Sequence, residues 1–460
     1  MDASRRSPPA ADGDAVSRAL TAALAAHAAR EARIAVALSG GRDSVALLDA
    51  AAGVVPRERL FACHVHHGLS PNAQRWTDFC ADLSARRGIA FASERVTVAP
   101  APRASVEATA RRARYEALAT MARRASASVV LLAHHQDDQA ETLLLQLLRG
   151  AGPRGVAAMP AAYRWRDLAW LRPLLDVTRA TIDAYVTARG LDHVDDESNR
   201  ETRYTRNALR LRVVPALRDI APGYPATVAR AARHQAEAAQ LMHELAALDA
   251  ASFYDGATLA RVAISAPAVH RARNVLRWFL HERGLPPPSA ARLAAMTAQL
   301  RAARRDAAVR LRHAGAEVGV FRDRIFVHGE RVAPFALAWA GDAPLDLPHG
   351  TLRIVRQPGG DVDTTRLFAQ RVTVRSRAGG ERFQSAADRP RRALASVLRE
   401  AAVAPWDRDA LPLVFAQDAL AVVPGIGIDP GFRTAVPGVG ATVVWEPARS
   451  APDDEAAPIG

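Results

Sequence analysis

The sequence predicts an α/β domain with a parallel sheet, then a mainly helical domain and a small α+β domain. The first is predicted because short apolar runs, typical of buried strands, alternate with helical patterns as far as residue 222. A mostly helical, Ala- and Arg-rich pattern follows, and alternating apolar and polar residues later indicate strands. We therefore expect domains at 15–222, 223–335 and 345–447.

The elements of the first domain follow in a regular order. Because right-handed crossovers place its strands in one parallel sheet, ligands are expected beyond the carboxyl ends of the strands. WLRPLL adds strand-like residues, and a single helix is expected over ALRLRVVPALRDI. The second domain should contain a hairpin near 316–328, and the third should contain several strands and the helix RRALASVLREA. In the first domain, strands are predicted at 34–38, 60–67, 89–96 and 129–135, and helices at 15–30, from 43, at 72–87, at 105–124 and from 136 to Gly150.

Composition narrows the class of function. Arg supplies all 61 basic residues against 48 acidic ones, and the net charge of +13 indicates a polyanionic partner. Apolar residues make up 49% of the chain, enough for proper cores, but no run is long and apolar enough to span a membrane. Cys63 and Cys80 lie too far apart for a CxxC pair, so we expect no disulfide and a cytoplasmic location.

The first domain is organised around IAVALSGGRDS, residues 34–44, where a strand meets a helix at a glycine turn. Gly40 and Gly41 let the backbone turn sharply and leave its N–H groups uncovered. With the positive end of the helix, these groups form a site for an anion such as phosphate. Asp43 is unusual there, because a carboxylate repels phosphate unless it holds Mg²⁺ or caps the helix. An ordinary glycine turn is the alternative interpretation.

A second polar cluster is predicted where the fourth strand meets the next helix. It contains His134, His135, Asp137 and Asp138. Paired carboxylates beside a nucleotide are suited to Mg²⁺, and one of them could instead hold or deprotonate an amine nucleophile. Two Asp residues also favour a helix N-terminus through their charge alone, so both interpretations stay open. Leu143, Leu144, Leu147 and Leu148 of this helix are expected in the core.

Two further stretches carry candidate side chains. The histidines of HVHHGL, residues 64–69, could contact a nucleotide or serve the fold, and zinc is disfavoured because no Cys or carboxylate completes a site. In SVEATARRARYEAL, Glu107 and Arg111 have the spacing of a salt bridge. Arg111, Arg112 and Arg114 could alternatively reach a phosphate.

SGGRDS after a strand resembles the SGGxDS pyrophosphate loop, or PP-loop, of the N-type ATP pyrophosphatases. The order SGGRDS, HVHHGL, SVEATARRARY, HHQDDQAETLLLQLLRGAG, DDESNRETRYTRNALR is similar to that of the tRNA(Ile)-lysidine synthetase family. VRSRAGGERF, RRALASVLREAAVAPWDRDALPLVF and VVPGIGID resemble the C-terminal domain of that family, so the resemblance covers nearly the whole chain. The expected fold is therefore a PP-loop ATPase domain, a helical domain and an α+β C-terminal domain.

The resemblance implies a ligase that uses ATP and Mg²⁺. ATP would adenylate the 2-carbonyl oxygen of the wobble cytidine in the CAU anticodon of tRNA(Ile). The ε-amine of free L-lysine would then expel AMP, giving lysidine and changing the specificity from Met to Ile. The implied catalytic residues are Asp43, Asp137, Asp138 and Arg112, the Mg²⁺ ligands are Asp43 and Asp137, and Asp137, Asp138 and Glu141 are candidates for holding the lysine amine. The implied nucleotide-binding residues are Ser39, Gly40, Gly41, Arg42, Asp43, Ser44, His64, His67 and His134.

Contacts with tRNA are expected from two regions. By resemblance, one stretch lies near the anticodon loop, whose bases would stack on aromatic rings and guanidinium planes. Arginines of the third domain suit salt-sensitive contacts with the tRNA backbone. No membrane partner is expected, and a homodimer is left open. The first group is Asn199, Arg203, Tyr204, Arg206 and Asn207, and the second includes Arg391 and Arg392.

Three other classes of protein compete with this interpretation. A tRNA thiolase on the same loop would need catalytic cysteines or an iron–sulfur cluster, which Cys63 in a strand and Cys80 on a helix do not favour. An amide-forming synthetase for a small acid is disfavoured by the basic charge and the extra domains. A non-enzymatic RNA-binding or nucleotide-sensing protein would differ in releasing no pyrophosphate from ATP.

Overall fold

The computed structural model describes residues 15–66, 68, 70, 72–96, 106–195, 205–303, 309–329, 333–356, 360–435 and 440–447. The chain divides into two compact units, the first ending at Met242 and the second beginning at His243. This division falls within one long helix, so the three-domain boundaries stay a prediction.

The first unit contains a six-stranded sheet in the order β3-β2-β1-β4-β6-β5. Strands β3, β2, β1, β4 and β6 run parallel to one another, and the edge strand β5 runs antiparallel to β6. The predicted parallel sheet is therefore confirmed, whereas the antiparallel edge was not foreseen. The strands are β1 (Ile34–Ala37), β2 (Leu60–His66), β3 (Ala90–Arg95), β4 (Val129–Leu131), β5 (Ala162–Trp165) and β6 (Leu168–Leu171).

Helices cover both faces of this sheet, because alternate residues of a strand point to opposite sides. Ile34 and Val36 of β1 pack in one core with Leu47, whereas Ala35 packs in the other core with Tyr115. The helices are α1 (Ala15–His27), α2 (Arg42–Val54), α3 (Ala73–Arg86), α4 (Val106–Arg124), α5 (Gln136–Leu148), α6 (Pro153–Val156), α7 (Arg179–Ala188), α8 (Thr205–Ala208) and α9 (Val214–Ile220), and α10 (Tyr224–Ala250) follows them.

The topology brings two of the predicted motifs together. β1 lies between β2 and β4, so the connection after β1 and the connection after β4 leave the sheet in opposite directions. A crevice forms at such a switch point, beyond the carboxyl ends of the two strands. The glycine turn follows β1 and the histidine–aspartate cluster follows β4, so both lie at this crevice.

The helix predicted over residues 208–220 is interrupted. A π-helical turn, Leu209–Val213, separates α8 from α9. Pro215 explains the break, because it has no N–H to donate and its ring opposes the carbonyl group four residues earlier. The wider π turn relieves this conflict and changes the direction in which the following side chains point.

In its described residues, the second unit combines six further helices, α11 to α16, with antiparallel sheets. Its strands between residues 259 and 329 form a four-stranded sheet in the order β7-β10-β9-β8. This sheet includes the predicted hairpin, which is formed by β9 and β10. The C-terminal part contains the order β11-β14-β17-β18-β19, a three-stranded sheet β12-β13-β20 and a β15-β16 pair. Their bounds are β7 (Leu259–Ala260), α11 (Val262–Ser265), α12 (Val269–Glu282), α13 (Ala290–Ala302), β8 (Arg310–His313), β9 (Ala316–Phe321), β10 (Arg324–Gly329), β11 (Ala336–Ala338), β12 (Leu345–Leu347), β13 (Gly350–Arg356), α14 (Thr364–Phe368), β14 (Val372–Arg375), β15 (Arg382–Phe383), β16 (Arg392–Ala393), α15 (Leu394–Glu400), α16 (Pro405–Ala410), β17 (Leu413–Ala416), β18 (Ala419–Val423), β19 (Gly427–Ile428) and β20 (Ala441–Pro447).

A tryptophan joins the two sheet regions of this unit. Trp406 of α16 is buried, and its ring lies parallel to that of His328 of β10 with 4.4 Å between centroids. Gly319 of β9 makes room for it, because a Cβ there would lie 2.9 Å from the indole ring. The contact packs the C-terminal sheets against the sheet of β7 to β10.

Candidate active site

The glycine turn after β1 is held by a small hydroxyl network. Ser44 Oγ donates to the carbonyl of Gly41 at 2.8 Å and accepts from the N–H of Ser39 at 3.1 Å. The two serine hydroxyls lie 3.0 Å apart, and the N–H of Gly41 donates to Ser39 Oγ at 3.3 Å. Gly41 is the residue before α2 and has no side chain to cap it, so the first N–H groups of the helix are left for a ligand.

Gly40 must be glycine for two reasons. Its φ of +86° lies in the left-handed region, which other residues rarely adopt. A Cβ would also lie 2.6 Å from Val194 Cγ2 and 3.1 Å from Cys80 Sγ. Below the loop, Val194 N–H donates to the carbonyl of Gly40 at 2.9 Å. Val194 and Cys80 therefore pack against one side of the loop, and its other side faces the crevice.

The histidine–aspartate cluster begins α5 and meets Asp43 of the loop. His135 precedes the helix and forms a reciprocal cap with Asp138. Its Nε2 lies 3.5 Å from Asp138 Oδ2 and 3.7 Å from Asp43 Oδ2. Burial raises the pKa of Asp43, while His135 opposes that change. Burial also raises the pKa of Asp138, but His135, His134 and Arg206 outweigh it and lower that pKa to about 2.

Asp43 and Asp137 differ in their fitness as Mg²⁺ ligands. Asp43 Oδ1 is buried and has no hydrogen-bond partner among the residues that the structure describes, so this oxygen is suited to coordinate a cation. Both oxygens of Asp137 are engaged, because Oδ2 accepts from Arg179 N–H at 3.0 Å and Oδ1 from Arg218 at 2.9 Å. Within the described ranges no group of three or more His, Cys, Asp or Glu side chains could hold a metal.

Arginines from the segment after α8 pair with the acidic side chains of α5. Arg210 of the π turn contacts both oxygens of Glu141, at 2.7 and 2.8 Å, and reaches Asp138 Oδ1 at 3.4 Å. Glu141 is nearly fully buried, so this bidentate pair satisfies a carboxylate that water does not reach. Arg206 adds a weaker contact with Glu141 at 3.6 Å. The sequence indicated Arg206, but it did not indicate Arg210 or Arg218.

A cationic cluster lies between α4 and β6. Arg172, just after β6, is 1% exposed and donates to the carbonyl of Pro160 at 2.7 Å and to Tyr115 Oη at 3.5 Å. Arg111 donates to the same phenol oxygen at 3.3 Å. Burial raises the pKa of Tyr115, but Arg111, Arg172 and Arg114 outweigh it and lower that pKa to about 8.

His134 faces the same cluster. Burial and the nearby Arg172 lower the pKa of its imidazole, so the ring is neutral at physiological pH. Its buried Nδ1 has no hydrogen-bond partner in the part of the chain that the structure describes. Several guanidinium groups beside a neutral ring form an environment that favours an anion.

Comparison with known proteins identifies the family. Three family models match the chain: "PP-loop domain" at residues 14–217, "TilS substrate binding domain" at 259–326 and "TilS substrate C-terminal domain" at 372–445. The tRNA(Ile)-lysidine synthase of Burkholderia pseudomallei is 40% identical and covers 90% of this chain and 93% of its own. That of Nitrosomonas europaea is 39% identical, with 91% and 92% covered. The chain belongs to the tRNA(Ile)-lysidine synthase family. The resemblance found in the motifs is thereby confirmed.

Two solved structures show a likeness at lower sequence identity. The U34-tRNA thiolase NcsA from Methanococcus maripaludis, with its [4Fe-4S] cluster, is 15% identical at a TM-score of 0.42, covering 49% of this chain and 79% of its own. The NH3-dependent NAD synthetase from Campylobacter jejuni is also 15% identical, with a TM-score of 0.28 and 49% and 92% covered. None of the described helices combines the length and apolar character needed to cross a bilayer.

Several residues predicted from the family resemblance do not meet at the crevice. Arg42 pairs with Asp183 of α7, away from the N–H groups of the loop. Arg112 is exposed on α4, while Arg111 and Arg114 face the cationic cluster. The expected core positions Leu147 and Leu148 were wrong, because these side chains are 53% and 76% exposed at the end of α5. They lie in the last turn of α5, on a side that faces solvent.

The residues predicted to contact the nucleotide or tRNA lie in different surroundings, and some of them lie outside the described residues. His64 is buried, with Nδ1 2.8 Å from the carbonyl of Leu38, so it supports the end of β1. Asn207 lies on α8 and is half-buried. Arg391 pairs with Asp429 at 2.6 Å, and Arg392 pairs with Glu400. His67, Asn199, Arg203 and Tyr204 lie outside the described residues, as does the side chain of Glu107.

Proposed function

We propose that this chain is a tRNA-modifying ligase that forms lysidine. It uses ATP to adenylate the 2-carbonyl oxygen of the wobble cytidine in a CAU-anticodon tRNA(Ile), then joins free lysine to the same carbon. The modified base pairs with A, which changes the specificity of the tRNA from Met to Ile. The observation that carries the proposal is the uncapped glycine turn at the β1/β4 crevice, facing Asp43 and the acidic start of α5, in a chain of this family.

The loop residues have the role of holding the pyrophosphate end of ATP. Gly40 and the first turn of α2 would supply backbone N–H groups, and Ser39 and Ser44 would supply hydroxyls, at the positive end of α2. The N–H of Gly41 holds the Ser39 hydroxyl in place. As the cytidine oxygen attacks the α-phosphorus, the bond between that phosphorus and the pyrophosphate oxygen breaks. Negative charge then grows on the pyrophosphate leaving group. Donors fixed in advance stabilise this charge without any rearrangement of the protein.

Mg²⁺ is proposed as the metal that accompanies ATP. The unpartnered Oδ1 of Asp43 supports this ligand, whereas the engaged oxygens of Asp137 favour a structural role for Asp137 at the start of α7. When bound, Mg²⁺ would neutralise part of the charge of the phosphates.

The cationic cluster has the chemistry to steady the phosphate of the adenylated cytidine. Arg111, Arg114 and Arg172 supply permanent charges, and neutral His134 offers a ring nitrogen to the same space. We assign the phosphate role to Arg111 rather than to Arg112, because Arg112 is exposed on α4.

Lysine is proposed as the second substrate, held through its ammonium group by Asp138 and Glu141. The pKa of about 2 for Asp138 keeps that carboxylate ionised at physiological pH, as a cation partner must be. Once the ammonium group has lost a proton to solvent, its nitrogen attacks the cytidine C2, the C2–O bond breaks, and AMP leaves with the oxygen. Arg210 occupies both carboxylates, so the ammonium would share them with that guanidinium group.

We also propose which residues contact the tRNA. Arg206, Asn207 and the neighbouring residues 199, 203 and 204 would contact the anticodon loop, and Arg391 and Arg392 would contact the tRNA backbone. A cytoplasmic location and a homodimer also stay predictions.

The test is mass analysis of the wobble nucleoside after incubation of tRNA(Ile) with the protein, ATP, Mg²⁺ and lysine. We expect lysidine and one AMP per modification, with no product on tRNA(Met) or without lysine. In a parallel incubation with a sulfide donor in place of lysine, a sulfur-containing nucleoside would instead support the thiolase alternative. Burial of Cys63 and Cys80 raises the pKa of each thiol to about 12, which disfavours that chemistry. No pyrophosphate release under any of these conditions would refute the proposal.

A further inference from the structure

His135 occupies a central place between the two halves of the site. It follows β4, precedes α5 and is 1% exposed. Its own N–H donates to Asp138 Oδ2 at 3.1 Å, and the N–H of Asp138 donates back to His135 Nδ1 at 3.4 Å. Two backbone groups at the start of the helix are therefore satisfied by this one pair.

The cap fixes which ring nitrogen of His135 carries the proton. Because Nδ1 accepts a hydrogen bond from the backbone, the neutral imidazole carries its hydrogen on Nε2. That nitrogen faces two carboxylates, with Asp138 Oδ2 at 3.5 Å and Asp43 Oδ2 at 3.7 Å. One N–H dipole thus stands between the loop after β1 and the helix after β4.

The contact has a directional consequence for Asp43. Its Oδ2 lies beside His135, and this orientation directs Oδ1 to the position where it is buried without a hydrogen-bond partner in the described ranges. The charge of Asp138 raises the pKa of Asp43, so the two carboxylates repel each other, and the N–H between them reduces that repulsion.

We propose that His135 is a positioning residue, whose Nε2–H orients Asp43 toward the metal of Mg·ATP while its Nδ1 begins α5. The inference rests on the proposed function for its ligand, but it concerns nucleotide binding and does not require lysidine formation. The ligand is a nucleoside triphosphate with its divalent cation. Oriented partners of metal ligands contribute to affinity in this way.

Two substitutions test the roles of the two ring nitrogens of His135 separately. His135→Asn keeps a short acceptor suited to capping α5 but has no donor that reaches Asp43. His135→Gln places an amide N–H near the position of Nε2 but is a weaker cap. We measure ATP affinity by calorimetry, once with Mg²⁺ and once with a chelator, and record thermal unfolding of each variant in parallel.

The expected result concerns the gain in ATP affinity that Mg²⁺ provides. His135→Asn should lose about tenfold of that gain while retaining wild-type unfolding behaviour, and His135→Gln should retain most of it. Asp43→Asn should lose the gain as well, and the double variant Asp43→Asn/His135→Asn should lose no more than Asp43→Asn alone, because both act through one carboxylate.

Several outcomes would overturn the inference. It fails if folded His135→Asn keeps the full Mg²⁺-dependent gain, if the two losses add in the double variant, or if the wild-type protein shows no such gain. If His135→Asn does not fold, the decision passes to His135→Gln, in which loss of the gain contradicts the inference and its retention supports it. Absence of lysidine with normal Mg·ATP binding refutes the proposed function and leaves this inference standing.

Discussion

At the scale of single residues, the left-handed Gly40 offers a direct test of the loop. Gly40→Ala should destabilise the protein by about 2 kcal/mol and abolish ATP binding, because the residue would be strained and its Cβ would lie 2.6 Å from Val194 Cγ2. Gly53→Ala in α2, the helix that follows the loop, is the matched control, since a Cβ there meets nothing within 4 Å. Denaturant unfolding and ATP calorimetry check both variants. Equal stability for the two would contradict the packing described for the loop.

A second prediction at this scale concerns the ionisation of Tyr115. Its pKa of about 8 lies below the ordinary value of 10.0 for a tyrosine, so the folded state binds the proton less tightly than the unfolded chain. The resulting stabilisation is fully present above pH 10 and is lost as the pH falls through about 8. Tyrosinate absorbance should therefore rise near pH 8 in the native protein. Tyr115→Phe should remove that step, and Arg172→Met should move it to higher pH. An unchanged step in Arg172→Met would exclude the proposed charge effect.

At the scale of elements, the π turn carries the arginine that satisfies Glu141. Arg210→Met should cost about 3 kcal/mol of unfolding free energy, because it leaves a buried carboxylate without its bidentate partner. Arg212→Met is the control on the same turn, where the side chain is exposed and the change should be small. Adding Glu141→Gln to Arg210→Met should recover part of the loss. Additive costs in that double-mutant cycle would show that the two side chains are not coupled.

The elements also show what the sequence could and could not predict. The SGGRDS loop was predictable because its chemistry lies in consecutive residues, and the parallel sheet followed from the alternation of strands and helices. The partners of Asp137 and Glu141 could not be predicted, because Arg218 and Arg210 lie far along the chain, and Arg210 belongs to a π turn that the sequence pattern did not indicate.

Two signals for the cationic cluster were present but were not used. Arg172 is a charged residue inside the apolar run WLRPLL, and charges are rarely buried without a reason. Arg111 precedes the buried Tyr115 by one helical turn, whereas Arg112 does not share that face.

At the scale of the whole molecule, Trp406 connects segments that two different family models match, because its ring lies 5.0 Å from that of Phe326, centroid to centroid. Trp406→Ala should destabilise the second unit by about 4 kcal/mol, since a large buried ring leaves a cavity. We expect calorimetry to resolve a separate early transition for the C-terminal sheets. Phe253→Ala, which truncates a partly exposed aromatic ring of the same unit, is the control. A single unshifted transition in Trp406→Ala would mean that the contact does not couple the segments.

The thiol of Cys80 lies directly against the turn, 3.1 Å from where a Gly40 Cβ would be, and burial raises its pKa to about 12. A maleimide can therefore modify it only during excursions in which the turn lifts from the sheet. Cys63, buried within β2, provides an internal reference in the same molecule. Labelling kinetics followed by peptide mass spectrometry would thus report local opening of the glycine turn without any engineered probe. Saturating ATP should slow modification at Cys80 far more than at Cys63.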